Sequence, residues 1–194
     1  MSHYFENDKN LKSEVRELSY KYDSSFFIFY SDNGVFSKNG IDYGSRLLLE
    51  TYLKNDKDSK DVLDVGCGYG FLGIMIGLIN KANVDMIDVN KRAVHLTNRN
   101  IKRYKDFKGQ VFISDAYENV TKKYDVVITN PPIKDKLLEI LFGACEHLKE
   151  DGTLYFVIRK DQGALSIKKI LEESKKVELL EKDKGFFIYS VKNI

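Results

Sequence analysis

The chain has no tryptophan, only two cysteines and three histidines, and no long apolar run. Each shortage removes a class of explanation. Cys67 and Cys145 form no C-x-x-C pair, and with His3, His95 and His147 they show no zinc spacing, so no metal is expected. Without a cysteine framework, a reducing, cytoplasmic compartment is the expectation. No stretch of about 18 apolar residues could span a bilayer, and no basic-then-apolar leader opens the chain, so no membrane partner is expected. Charge of one sign is lacking too. The formal net charge is +2, and so small a bulk field does not hold nucleic acid unaided. What remains is a chain of 194 residues, 43% of them hydrophobic, with aromatic packing carried by Tyr and Phe. That suits one domain with a short leading element: a β extension over residues 1–40 and one folded unit over 41–194.

Segments of two periods alternate along the chain. Residues 12–22 are polar and mixed, Phe26–Tyr30 has strand character, and Asn33-Gly34 signals a turn. Ser45–Lys54 predicts a helix with Ser45 as its N-cap. From Asp61 the pattern becomes strand–helix. Strands are expected at Asp61–Val65, Val84–Val89, Val111–Ile113, Tyr124–Thr129 and Thr153–Ile158. Helices are expected at Phe71–Ile79, Lys91–Tyr104, Lys134–Lys149 and Ser166–Ser174. Val177–Leu180 and Phe186–Val191, joined by Lys184-Gly185, predict a final hairpin. Short apolar strands alternating with helices imply an α/β fold, with a parallel sheet covered on both faces. The hairpin adds one antiparallel strand.

The strongest local signal is Val62-Leu63-Asp64-Val65-Gly66-Cys67-Gly68-Tyr69-Gly70, a strand that stops at glycines before a helix. Glycines admit positive φ and a close ligand approach. Gly70 is followed by Phe71-Leu72 and no lysine, which excludes a P-loop. Phe71 stands where a dinucleotide fold has its third glycine, which disfavours a nicotinamide oxidoreductase. Asp64 would sit badly beside a pyrophosphate and well beside a free ammonium. Asp88 ends the second strand, where an acidic residue accepts hydrogen bonds from a ribose diol. Asp115 and Ala116 follow the third strand, and Asp115 is placed to accept from an adenine amino group. Together these describe a nucleoside that bears an amino acid. The bland alternatives are a capping role for Asp88 and a turn role for Asp115. Cys67 has no His/Asp partner and is taken as a small filler rather than a nucleophile.

Asn130-Pro131-Pro132-Ile133 follows the fourth strand. Two prolines stiffen the turn and supply carbonyls without N–H groups. The Asn130 side-chain oxygen and the Pro131 carbonyl are acceptors suited to a target amino group, whose lone pair they would aim. The plain alternative is a rigid exit loop.

These residues together resemble the class I S-adenosylmethionine-dependent methyltransferases. More narrowly, they resemble the small-domain methyltransferases that include ribosomal small-subunit RNA guanine-N2 enzymes. Gly34-Val35-Phe36-Ser37, Asp42-Tyr43-Gly44-Ser45, Val62–Gly70, Asn130–Ile133 and Val157–Lys160 with Gln162-Gly163-Ala164 carry the likeness over nearly the whole chain. The resemblance implies a Rossmann-like, seven-stranded, mostly parallel sheet, with its seventh strand antiparallel between the fifth and sixth. It implies S-adenosyl-L-methionine as cofactor, with Asp64, Gly66, Gly68 and Gly70 at the methionine end, Asp88 on the ribose and Asp115 and Ala116 at the adenine. It implies Asn130, Pro131 and Pro132 as the catalytic corner. Two departures stand out. Ile133 replaces the aromatic residue many amino-methylating relatives carry, and the chain has no room for the second, degenerate domain of larger relatives.

A ribosomal RNA, or an assembling small subunit, is the implied partner. Phe36, Tyr43, Ile133, Lys134, Arg159 and Lys160 are the candidate substrate-binding residues, with core packing the alternative for Phe36. Lys134, Lys136, Arg159 and Lys160 fall near the carboxyl edge of the expected sheet, whereas Lys91–Lys108 suits a solvated helix face. A paired base would have to flip out to reach Asn130. The competing functions are methylation of a protein glutamine or a small-molecule amine, and a non-catalytic cofactor-binding assembly factor.

Overall fold

The computed structural model describes residues 12–132 and 136–194. Nine strands and five helices follow in the order β1 (Arg16–Tyr22), β2 (Ser25–Ser31), α1 (Tyr43–Asn55), β3 (Asp61–Val65), α2 (Phe71–Asn80), β4 (Asn83–Asp88), α3 (Lys91–Ile101), β5 (Lys108–Ile113), β6 (Tyr124–Thr129), α4 (Leu137–Glu146), β7 (Leu148–Arg159), α5 (Ala164–Glu172), β8 (Lys175–Asp183) and β9 (Phe186–Asn193). Seven strands form one sheet in the order β5-β4-β3-β6-β7-β9-β8. Strands β5, β4, β3, β6 and β7 pair in parallel, while β9 runs antiparallel between β7 and β8. This is the Rossmann-like α/β architecture the sequence implied, with the last strand inserted at the implied place.

Period two sorts the sheet residues onto its faces. Val62, Val126, Ile128, Tyr155, Val157 and Ile188 enter one core, beneath α1, α2 and α3. Leu63, Val65, Val127, Leu154, Phe156 and Tyr189 enter the other, beneath α4 and α5. At the hairpin tip Lys184 and Gly185 both have positive φ, at 45° and 80°, the pair of values a type I′ turn needs.

Several local expectations change. Residues 12–22, polar and mixed in sequence, were assigned no strand of their own, yet Arg16–Tyr22 is a strand paired antiparallel with β2 through a turn at Asp23-Ser24. Its polar residues alternate with buried Leu18 and Tyr20, which join the core above α2. Asn33-Gly34 is a turn after β2, as expected, with Gly34 at positive φ. The N-cap of α1 is Asp42 rather than Ser45, because the Asp42 carboxylate accepts the Ser45 N–H at 2.8 Å. Another change lies in β7, which begins at Leu148 and runs through Gly152 with a register shift against β6. Lys134–Lys149 was expected to be one helix. Of it, α4 spans Leu137–Glu146, and Lys134 lies outside the described residues.

The hairpin β1–β2 makes no ladder with the main sheet. The outer edge of β2 is satisfied by side chains of and just after α3. The Tyr104 hydroxyl accepts from Ile28 N and donates to Ile28 O, both at 2.8 Å. Asn100 accepts from Tyr30 N at 2.7 Å and donates to Tyr30 O and Tyr69 O. The hairpin is thereby tied to the glycine turn. No helix among the described residues is long and apolar enough to cross a membrane.

Candidate active site at the carboxyl edge of the sheet

The order in which strands are added reverses between the parallel neighbours β3 and β6. One half of the sheet grows from β3 through β4 to β5, the other from β6 through β7. An open α/β sheet binds ligands at that crevice, beyond the strand carboxyl ends. Both sides of the crevice are fixed in register: Val65 pairs with Thr129, and the Thr129 hydroxyl donates to Val65 O at 2.8 Å. Gly66 and Asn130 therefore leave the sheet side by side.

The glycine turn is a tight bend in which Gly66, Gly68 and Gly70 all take positive φ. They differ in what they face. A Cβ on Gly66 or Gly68 would meet open space, whereas one on Gly70 would lie 2.8 Å from the Thr97 side chain. Gly66 and Gly68 leave room for a ligand; Gly70 serves packing against α3. Asp88, expected at a ribose, also holds the bend. Its carboxylate accepts from Gly68 N at 2.9 Å and from Asn90 N at 2.8 Å. Burial raises its pKa, against those N–H donors.

Asp64, next to last in β3, is almost wholly buried. One carboxylate oxygen accepts from Gly73 N at 2.9 Å, and the other has no partner. Burial pushes its pKa up to about 7, with the nearby Asp88 charge adding to the rise. A buried, half-satisfied carboxyl group is an unsolved cost in the free protein, and a ligand ammonium would resolve it. Cys67 is buried in the bend, and burial with the Asp88 and Asp64 charges holds its thiol well above the usual range, so it stays neutral.

Asn130 stands across from the bend. Its amide nitrogen donates to Asp42 Oδ2 at 3.1 Å and to Ser45 Oγ at 2.9 Å. No residue among those described donates to its oxygen. Asp64, Gly66, Gly68, Asp42, Ser45 and Asn130 line one cleft of about 40 Å³, with Phe36 and Ser37 at its mouth. Phe36 is half exposed there. Pro131 is buried and Pro132 partly so.

The other candidate residues lie around this cleft. Asp115 and Ala116 line a separate hollow of about 410 Å³, formed with Tyr117 and α4. Ala116 has positive φ, and its carbonyl accepts from Ser114 Oγ at 2.8 Å. Lys136, expected to face substrate, pairs with Asp115 at 3.0 Å. Tyr43, Arg159 and Lys160 lie on the rim rather than in the cleft. The Tyr43 ring lies 5.6 Å from that of Phe186, with Arg46 and Lys184 over it at 5.2 and 4.7 Å. Arg159 lies over Phe186 and pairs with Asp161. Lys160 is exposed, and its N–H donates to Gly185 O, which ties the turn after β7 to the hairpin tip. Ile133 and Lys134 lie outside the described residues.

The site residues that sequence reasoning passed over are Asp42, Ser45, Gly73 and Thr97. Asp42 had a visible signal, an aspartate three residues ahead of a serine at a helix start. Thr97, whose hydroxyl donates to Gly68 O at 2.9 Å, had none.

The methyltransferase small-domain model matches residues 27–190. The chain belongs to that family. As a member it is a methyltransferase domain. It is 37% identical over 199 aligned positions to the uncharacterized protein YbxB of Bacillus subtilis (strain 168), covering 99% of this chain and 98% of that one. It is 40% identical over 138 positions to the ribosomal RNA small subunit methyltransferase C of Mannheimia succiniciproducens, covering 67% of this chain and 40% of that protein. Among solved structures, the T. thermophilus 16S rRNA N2 methyltransferase in complex with AdoMet and guanosine superposes with a TM-score of 0.84 at 24% identity. That match covers 95% of this chain and 52% of the other, so the small domain spans about half of these longer relatives.

Proposed function

We propose that this methyltransferase domain uses S-adenosyl-L-methionine to methylate an exocyclic amino nitrogen, the N2 of a guanine in ribosomal RNA, in the cytoplasm. One observation carries the reading: Asn130 spends both amide hydrogens on Asp42 and Ser45, leaving its oxygen as an acceptor in the cleft that the half-satisfied Asp64 carboxyl group also lines. Asp64 suits the cofactor's ammonium, Gly66 and Gly68 leave it space, and Asp88 has lone pairs left for a ribose. Asp115 and Ala116 stand at the adenine side. When bound, the cofactor supplies a methyl group activated by its sulfonium.

The chain's own part is binding and aim. An aromatic amine is a weak base but needs no strong base to react, because its proton leaves to water after the N–C bond forms. Asn130 Oδ1 and the Pro131 carbonyl each accept one N–H, which points the nitrogen lone pair along the line of transfer, and Pro132 stiffens the corner. Phe36 at the mouth is a stacking surface for a flipped base, in the absence of an aromatic at Ile133. Tyr43, Arg159 and Lys160, with Lys134, face the remaining RNA.

Incubation of the protein with labelled cofactor and ribosomal RNA, or small-subunit particles, followed by nucleoside mass spectrometry, tests the reading. N2-methylguanine is the expected product, and label confined to protein would reject RNA as substrate. Asn130→Ala should lower turnover by about 100-fold or more while calorimetry finds cofactor affinity unchanged.

A further inference from the structure

We propose that Asp42 and Ser45 are positioning residues for Asn130: they fix its carboxamide in the one orientation that receives an N–H donor and does not quench its lone pair. The inference rests on the methyl-transfer reading above for its chemistry, but its geometry stands apart from any substrate.

A carboxamide has nearly the same shape either way round, so something must tell its oxygen from its nitrogen. Asp42 does so. A carboxylate only accepts, so the Asn130 atom 3.1 Å from Asp42 Oδ2 is the NH2 group. Ser45 Oγ, 2.9 Å away, takes the second amide hydrogen. With both donors engaged, only the oxygen is left for the acceptor. The opposite orientation would aim an N–H at the incoming amine. It would then bind the lone pair that has to attack the methyl carbon, and the reaction would stop.

The pair is itself anchored. The Asp42 oxygen that holds Asn130 also accepts the Ser45 backbone N–H at 2.8 Å, as the N-cap of α1. That helix cannot shift freely, because Leu48, Leu49 and Tyr52 are fully buried beneath it. Gly44 between the two residues lies so close to Phe186 that a Cβ would come within 2.9 Å of its ring. The orientation of a group just past β6 is thus set by a helix start more than 80 residues earlier in the chain.

Ser45→Ala, Asp42→Ala and Asp42→Asn, each made alone and with Asn130→Ala, test the assignment. Asparagine keeps the oxygen that caps α1 and accepts from Asn130, so it is the conservative control. The two alanine variants should lose about 10- to 100-fold in kcat, with KM and cofactor affinity near the original, and Asp42→Asn should recover most of the loss. In the Asn130→Ala background neither alanine should cost more. Losses that multiply in that background, or that appear in KM and cofactor affinity instead, would overturn the proposal in favour of a merely structural role.

A second readout needs no substrate. In 15N-labelled protein loaded with S-adenosylmethionine, the Asn130 side-chain NH2 should exchange slowly with water, and Ser45→Ala should speed it. Rapid exchange in the unaltered protein would overturn the proposal. A protected amide in a protein that methylates no nitrogen would support the proposal and count against the enzymatic reading instead.

Discussion

Asp64 makes the free protein sensitive to pH in a calculable direction. Its carboxyl group titrates near 7 when folded and near 3.8 when unfolded. Between those values the folded chain holds a proton the unfolded chain has released, so stability falls as pH rises through the window and the loss is complete above about pH 7. The shift corresponds to something on the order of 4 kcal/mol. Asp64→Asn keeps an oxygen for the Gly73 N–H and removes the charge. It should therefore melt higher than the parent at pH 8, match it near pH 4, and bind S-adenosylmethionine more weakly; equal melting curves at both pH values would count against the raised pKa. The acidic residue and its glycines were legible in the sequence because motif chemistry is local. What was not legible was the division of labour within the bend. Gly66 and Gly68 open onto the cleft while Gly70 packs on Thr97, a distinction made by α3 and not by spacing. Nor does any spacing pair Asn130 with Asp42.

Among the elements, the hairpin β1–β2 owes its place to two side chains that act as a missing strand. Asn100 is fully buried and makes three hydrogen bonds to backbone groups, two of them to Tyr30 and one to Tyr69. Asn100→Ala leaves those groups without a partner, at about 1–3 kcal/mol for each that stays dry. We expect a loss of roughly 2–4 kcal/mol in denaturant unfolding, with amide exchange at Tyr30 faster than in the rest of the core. Tyr104→Phe should cost less, since its ring packing against Phe27 and Phe29 survives. Sequence periodicity located most elements of the main sheet, whose inner strands β3, β4 and β6 are largely buried. It missed β1, where only Leu18 and Tyr20 turn inward, and it cut β7 short, because Glu150-Asp151-Gly152 resembles a turn but lies in an irregularity of the strand between Leu148 and Thr153, which both pair with β6. It also carried α4 past Glu146, where buried Leu148 begins β7 instead.

At the scale of the molecule, a net charge of +2 forces any grip on RNA to be local. The rim around Tyr43 and Phe186 gathers Arg46, Arg159, Lys160 and Lys184, and the rings hold several of these cations in place. Four phosphate contacts on a single strand would give a slope of roughly −3 in log affinity against log salt. Arg159→Ala with Lys184→Ala should flatten that slope by about 1–2 in fluorescence anisotropy, with cofactor affinity unchanged; an unaltered slope would move RNA contact away from this rim. The sheet order has a further meaning for how the chain is made. β9 is synthesised after the other six strands of its sheet, yet it lies inside that sheet, supplying Phe187, Ile188, Tyr189 and Val191 to the two cores. β8 emerges from the ribosome before it and has no neighbour to pair with until β9 arrives. A nascent chain halted at the Lys184-Gly185 tip would carry two unpaired edges, on β7 and β8, and would be prey for chaperones or proteases until translation resumed.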